Sequence, residues 1–379
     1  MTDAAAQSLA DARGVIRHRS LSVAVRIMKC SVVFFVLALS IAPIQAQQFE
    51  PDSVLRPEPP LRRWLDIQTF SVDTRYRFTA DTQEVLAANQ LQYRESFRAR
   101  FNLDPGKRYT VSVGYFTGNS FGSAWDNWGV GNNTAFDRTN NYIKQLYASA
   151  MPVRGLTLQY GGLYLTRGES DELITYDSDG YLVGERVTVR RPKELIVDEI
   201  TVTRGAIGPR DTPSLMRRWG LLKEPNYTQV LGVKRFSRRV AGSMAYDRQI
   251  GSNILRGAVT LRFDPSAPVS AVRYEQYRRV SPNPAAGFGL WAEGPITEHL
   301  RVQGGYVSVD QHYGGWNADR IQSGRHFFLN ATLPIHGPLS ASIYATHALS
   351  TPYHVSIGRR FDAVISYDVL SELRRTGIF

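Results

Sequence analysis

The sequence feature that most constrains the fold is a strict alternation of apolar and polar residues, clearest from Leu91 to Leu103. One set of alternate positions holds Leu91, Tyr93, Phe97, Ala99 and Phe101, and the other holds Gln92, Arg94, Ser96, Arg98, Arg100 and Asn102. A helix would scatter the charges around its circumference, whereas a strand places them all on one face. Such a strand suits a sheet with lipid on one side and water on the other.

The same pattern recurs along the chain. Phe70, Val72, Tyr76 and Phe78 alternate with Thr69, Ser71, Asp73, Arg75 and Arg77, and the segment Asp104-Pro105-Gly106-Lys107 has the composition of a tight turn. Further strands are predicted at about 142–151, 156–165, 181–190, 194–204, 226–236, 240–250, 254–263, 269–277, 286–293, 300–309, 324–333, 338–347 and 352–360. Long connections at roughly 117–141, 166–180, 205–225 and 310–323 alternate with short ones.

Short turns on one side and long loops on the other are typical of an outer-membrane barrel. No segment after residue 46 is long and apolar enough for a transmembrane helix, so a membrane-spanning form would have to be a closed barrel. The predicted fold is all-β: a transmembrane antiparallel β-barrel of about 16 strands (range 14–18), with short periplasmic turns and long outer loops. The lower number applies if the 181–204 hairpin projects outside the wall. A barrel near 16 strands has a water-filled interior.

The N-terminal region has the pattern of a secretory signal peptide. Arg26 and Lys29 precede a run of about 12 apolar residues, too short to span a bilayer, and Ala46 supplies a small residue for cleavage. Three parts are therefore predicted: residues 1–46 as an N-terminal extension and signal peptide, with Met28 as an alternative start; 47–62 as a Pro-rich periplasmic lead; and 63–379 as the barrel. The predicted location is the bacterial outer membrane.

Charge and cysteine content limit the function classes. Residues 1–46 hold five Lys or Arg and two Asp or Glu, so removing them leaves 40 basic against 32 acidic residues, a net charge of +8. The single cysteine, Cys30, lies in the predicted signal peptide, which excludes disulfides and cysteine catalysis from the mature chain. An exported basic chain is expected to meet acidic solutes and the lipids of the outer membrane, and not nucleic acid.

Arginines on the polar faces are the candidate solute-binding residues of the lumen. Fixed cations in a narrow pore attract anions, and arginine makes bidentate contacts with carboxylates. The alternative is that these charges pair with one another and keep the pore hydrated. The candidates are Arg75, Arg77, Arg94, Arg98, Arg100, Arg186, Arg190, Arg256, Arg262 and Arg273, with Asp73, Glu199 and Glu275 as available partners.

Two tryptophans, Trp125 and Trp128, lie in a predicted outer loop rich in Gly, Asn and Asp. That composition is suited to stacking sugars or capping the pore. The alternative is an unspecialised surface loop.

The segment QLYASAMPVRGLTLQYGGLYLTRGESDELITYDSDGYLVGERVTVRRPKELIVDEITVTRG (145–205) resembles the porin-like barrels grouped around alginate export. The matching features are a strand, the PVRG turn, and YGGLYLTRGE leading into an acidic loop. The resemblance implies a monomeric barrel of 16–18 strands that conducts a polyanion or smaller anionic solutes through a charged lumen. It identifies no individual selectivity residue.

The C-terminus departs from the usual outer-membrane pattern. Phe379 is the expected terminal aromatic residue, but alternate positions before it hold Gly377, Arg375, Leu373 and Ser371 in place of apolar residues. The last strand is therefore predicted at 352–360 or 362–370.

The expected function is diffusion of small polar or anionic solutes, a class that includes saccharides, through an arginine-rich channel, with no catalysis and no cofactor. Two alternatives remain: a barrel enzyme of the lipase or acyltransferase type, which needs a Ser/His pair, and a plugged structural or adhesive barrel. The histidines show no metal-ligand spacing, so no metal is expected.

Overall fold

Seventeen antiparallel strands account for most of the residues that the computed structural model describes, which are 63–118, 123–132, 141–171, 181–191, 196–208, 214–310, 321–351 and 357–376. The predicted signal peptide (1–46) and periplasmic lead (47–62) lie outside the described residues. In the described part, no helix has the length and apolar character needed to cross a membrane.

The strands follow one another along the chain with few helices between them. They are β1 (Leu65–Ala80), β2 (Leu86–Asn102), β3 (Tyr109–Thr117), β4 (Asp126–Gly131), β5 (Asn141–Val153), β6 (Leu156–Tyr164), β7 (Tyr181–Arg190), β8 (Glu199–Ala206), β9 (Tyr227–Arg235), β10 (Val240–Gln249), β11 (Ser252–Arg262), β12 (Ala271–Ser281), β13 (Ala285–Pro295), β14 (Arg301–Val309), β15 (Gly324–His336), β16 (Leu339–Ser350) and β17 (Arg359–Asp368). Helix α1 (Leu215–Trp219) and a 3-10 helix (Gly220–Lys223) precede β9, and α2 (Val369–Arg375) follows β17.

Sixteen of these strands form the wall of a closed barrel. β1 pairs with β2 on one side and with β17 on the other, from Ser71 opposite Asp368 to Ala80 opposite Arg359. β3 pairs directly with β5, and the short β4 pairs with β2 beyond the end of β3. β7 and β8 are part of the wall, so the predicted count of about 16 strands is confirmed and the 14-strand alternative is not.

The two faces of the wall differ in polarity. On β10, Met244 and Tyr246 point outward and are 54% and 41% exposed, whereas Ser243 and Asp247 point inward and are buried. Phe327 and Leu329 on β15 are likewise exposed on the outside. A soluble barrel would bury its apolar face; this one presents it outward, the arrangement that a lipid bilayer requires. The predicted all-β antiparallel barrel is thus confirmed.

The connections lie at two ends of the barrel. The turn end carries short connections, such as 154–155 between β5 and β6, and the loop end carries the long segments before β5, β7, β9 and β15. Three loop-end connections are also short: 81–85, 250–251 and 282–284. Ile250 and Gly251 both have positive φ (46° and 79°), the geometry of a two-residue hairpin turn that matches strand twist.

The last strand differs from both predicted positions. β17 runs over Arg359–Asp368, with Phe361, Ile365 and Tyr367 on its exposed face. It ends because Asp368 caps α2, its carboxylate accepting a hydrogen bond from the Ser371 amide at 3.0 Å. β8 also begins later than predicted, at Glu199 instead of 194.

Candidate functional site

A group of arginines surrounds one carboxylate on the inner wall where the barrel closes. Asp362 on β17 lies 3.6 Å from Arg75 Nη1, 3.1 Å from Arg77 Nε and 2.5 Å from Arg360 Nη2. The cross-strand register brings these residues together, since Arg77 is directly opposite Asp362. A single negative charge therefore serves three positive ones.

The neighbouring strand extends this basic surface. On β2, Arg94 Nε is 2.8 Å from Asp73 and Arg100 Nη2 is 2.6 Å from Asp66, while Arg98 lies over the ring of Phe116 at 4.9 Å. The inward-facing arginines of β1, β2 and β17 are Arg75, Arg77, Arg94, Arg98, Arg100 and Arg360, and we call this set the basic wall. Among the described residues, five of its six guanidinium groups are ion-paired to three aspartates.

The two loop tryptophans occupy opposite faces of the sheet. Trp125, between β3 and β4, lies against the basic wall, with Arg75 Cζ 3.9 Å and Arg94 Cζ 4.7 Å from its ring centre. Trp128 on β4 contacts Tyr93 at 4.6 Å and is 54% exposed on the outside. Only Trp125 therefore belongs to the lumen, and the binding role of both residues stays a prediction.

The segment after β6 runs into the lumen and across to the far wall. Glu169 accepts a hydrogen bond from Arg262 of β11 at 2.6 Å, and Asp171 accepts one from Arg273 of β12 at 2.5 Å. Asp171 also accepts one from Gln303 of β14 at 3.3 Å. Because these strands are far from β6 around the barrel, residues 165–171, which we call the inner segment, narrow the lumen.

The backbone of the inner segment is also anchored to the wall. The Thr166 carbonyl accepts hydrogen bonds from Gln229 and Arg256, at 2.9 and 3.3 Å, and the Glu169 amide donates to Ser243 Oγ at 2.9 Å. Gly168 has a φ of +65°, and a Cβ there would lie 2.6 Å from Ser243, so glycine is required for this approach. Burial raises the pKa of Asp171, and Arg273 opposes that change.

The predicted lumen arginines fall into two groups by accessibility. Arg256 is closed off in an ion pair with Asp247 (2.5 Å), and Arg186 is equally buried beside Thr203 and Tyr164. Arg75 is also buried. The others are open to solvent in part, with side-chain exposures from 14% for Arg77 to 66% for Arg190, which is paired with Glu199. The accessible candidates are Arg77, Arg94, Arg98, Arg100, Arg190, Arg262 and Arg273.

An apolar cluster also faces the interior, which the sequence prediction missed. Tyr277, Trp291 and Phe328 come from β12, β13 and β15, and Ile321 joins them from the connection before β15. The Trp291 and Phe328 rings are 6.1 Å apart. The alternation along the strands could have revealed this cluster. Phe328 follows the outward-facing Phe327 by one residue, so its side chain faces inward.

No family model matches the chain, and no curated protein matches it in sequence. Solved structures do match. Salmonella typhi OmpF in complex with daunomycin is 12% identical with a TM-score of 0.53, covering 80% of this chain and 97% of that one. A double mutant of the Rh. blastica porin is 9% identical with a TM-score of 0.51, covering 80% and 99%. The fold is that of the porins.

The porin fold agrees with the architecture predicted from the sequence, but the resemblance to the alginate-export group has no support in these matches and stays a prediction. Across the described ranges, no group of three or more metal-ligating residues is present.

Proposed function

We propose that this protein is a non-enzymatic channel of the bacterial outer membrane that lets small polar solutes diffuse through its lumen and favours anions. The porin fold, the apolar outer face and the polar interior support the channel and its location. The preference for anions rests on one observation, the basic wall, which gathers six arginines, five of them ion-paired to three aspartates among the described residues.

The excess charge of the basic wall acts in two ways. It makes the local potential positive, which raises the concentration of anions in the lumen. Guanidinium groups also present paired donors that match a carboxylate or phosphate. Arg94, Arg98 and Arg100 contribute most, because their side chains are in part open to solvent.

Planar-bilayer recordings under a salt gradient test this proposal on the refolded chain from Gln47 onward. Wild-type protein should give conductance steps with an anion-selective reversal potential. Replacing Arg94, Arg98 and Arg100 together with Ser should shift that potential toward cations. A matched variant loses three exposed turn-end arginines instead (Arg154, Arg238 and Arg239 to Ser) and should behave as wild type. An unchanged potential in the lumen variant would refute anion selection by the basic wall.

A second candidate function is a closed barrel that serves a structural or adhesive role. It is favoured by the burial of the Arg256–Asp247 pair and of the inward apolar cluster, since groups lining an open pore are hydrated. Membranes that stay silent, with folded β-structure confirmed by circular dichroism, would select this function over the channel.

A further inference from the structure

Three arginines point outward near the loop end of every second strand from β8 to β12. Arg204 lies on β8, Arg248 on β10 and Arg278 on β12. Their neighbours in sequence, such as Asp247 and Tyr277, point inward and are buried, whereas Tyr246 shares the outward face and is exposed. These arginines, which we call the outer arginine row, are thus on the side of the wall that faces lipid.

The sheet register places the outer arginine row along one edge of the apolar surface. Arg204 is opposite Thr228, and Thr228 is opposite Arg248. With strands about 4.8 Å apart, these two arginines are separated by about 10 Å at the backbone. Arg248 is opposite Asn253, and the next outward residue of β11, Leu255, is opposite Arg278.

Within the described part of the chain, two members of the outer arginine row, Arg204 and Arg248, are incompletely neutralised. Arg204 is 3.8 Å from Glu185, and both side chains are more than half exposed. Arg248 is exposed, and its guanidinium group has no ion pair or hydrogen bond among the described residues. A cation on the lipid face is costly at the middle of a bilayer and costs little only near the interface. The outer arginine row therefore marks the membrane–water boundary, where the charges of Arg204 and Arg248 are open to a ligand from outside the protein.

The surface next to the row is suited to acyl chains. Toward the turn end, β8, β9 and β10 expose Val202, Val230 and Met244, respectively. The Tyr246 hydroxyl donates to Asn253 Oδ1 at 2.8 Å, which keeps a polar group at the boundary. Tyrosines commonly occupy this position, with the ring in lipid and the hydroxyl in the headgroup region.

We propose that the outer arginine row binds the phosphate groups of an anionic membrane lipid, whose acyl chains lie along the apolar face of β8–β12. Arginine is well matched to phosphate because its planar donors form paired bonds. Arg204 and Arg248 are about 10 Å apart, and Arg278 lies two strands beyond Arg248. This spacing suits a headgroup that carries more than one phosphate. This site does not depend on whether the lumen conducts.

The test uses the full chain, expressed in a bacterium and purified from its membranes. The detergent-solubilised protein is mixed with equal amounts of phosphatidylcholine and a glycolipid bearing two phosphates, and native mass spectrometry counts the lipids retained. Wild-type protein should retain the phosphorylated lipid selectively. The variant R204Q/R248Q/R278Q should retain it at least about ten-fold less, as expected when three surface cations are lost. The control R154Q/R238Q/R239Q, altered at the turn end, should match wild type.

Two results would overturn the proposal. One is equal retention of the phosphorylated lipid by wild type and R204Q/R248Q/R278Q, and the other is no selective retention by wild type. A change in oligomeric state of that variant with lipid retention unchanged would assign this face to contact with a second copy of the chain. Heat-modifiable migration on gels verifies that each variant is folded, so a loss of lipid cannot come from a lost barrel.

Discussion

At the scale of single residues, Asp362 is notable because its one carboxylate contacts three arginines while almost fully buried. Replacing it with Asn leaves those guanidinium groups to repel one another. We expect D362N to lower the free energy of unfolding by about 3–5 kcal/mol, the usual cost of breaking a buried ion pair. Urea unfolding in detergent micelles, followed by tryptophan fluorescence, measures this change.

The matched control for Asp362 is Asp66, which bonds Arg100 where both side chains are about one-third exposed. Because solvent screens that pair, D66N should lower the free energy of unfolding by less than about 1 kcal/mol. If D362N and D66N lowered the free energy of unfolding equally, the Asp362 cluster would stabilise the barrel no more than an ordinary surface ion pair does.

Asp104, in the turn between β2 and β3, provides a test of pH dependence. A hydrogen bond from the Tyr109 amide (2.8 Å) is the main cause that holds the pKa of its carboxyl below the usual range. The pKa of Asp104 is lower in the folded protein than in the unfolded chain. The ionised carboxylate therefore stabilises the fold fully above its unfolded-state pKa, and this stabilisation is lost as pH falls through its folded-state pKa. We therefore expect the Tyr109 amide of the wild-type protein to lose its protection from hydrogen exchange only in strong acid. In D104A the same amide should be unprotected at every pH. Titration of Asp104 at or above the ordinary value would contradict this account.

At the scale of elements, the alternation in the sequence predicted most of the wall. The polarity of residues 91–103 placed Arg94, Arg98 and Arg100 on the inner face, because the lipid side of a strand tolerates charge only near the membrane interfaces. β4 was missed because its six residues lie in a Gly- and Asn-rich loop with no clear alternation. The path of the inner segment was also not predictable, since its anchors, Arg262 and Arg273, are about a hundred residues away along the chain.

The inner segment carries its own prediction. In E169Q/D171N the hydrogen bonds to Arg262 and Arg273 lose their ionic character, and two negative charges leave the lumen. If the protein conducts, single-channel conductance should rise and the reversal potential should move further toward anions. The control E298Q/D264N removes two turn-end acids outside the lumen and should change neither quantity. A double variant indistinguishable from wild type would mean that the inner segment does not limit ion flow.

At the scale of the whole molecule, closure depends on contacts between the two ends of the barrel sequence. Ten consecutive residue pairs join β1 to β17, and they unite the arginines of the N-terminal strand with Asp362. Alternation cannot reveal such a pairing, because it fixes which face a residue occupies and not which strand lies beside it. The register between β1 and β17 is therefore the feature of the basic wall that only the structure supplies.

Engineered cysteines test this closure directly, because the chain from Gln47 onward contains none. Thr74 and Ile365 are register partners on β1 and β17, and both lie on the outward face. Directly opposed residues have Cβ atoms about 4.5–5.5 Å apart, within reach of a disulfide after modest adjustment, whereas a diagonal pair lies about 7–8 Å apart. We expect T74C/I365C to form a disulfide on mild oxidation, visible as altered gel mobility that a reductant reverses. T74C/Y367C, displaced by one outward position, should stay reduced. Cross-linking of the displaced pair alone would indicate a slipped register, and cross-linking of neither pair would indicate that the sheet does not close between β1 and β17.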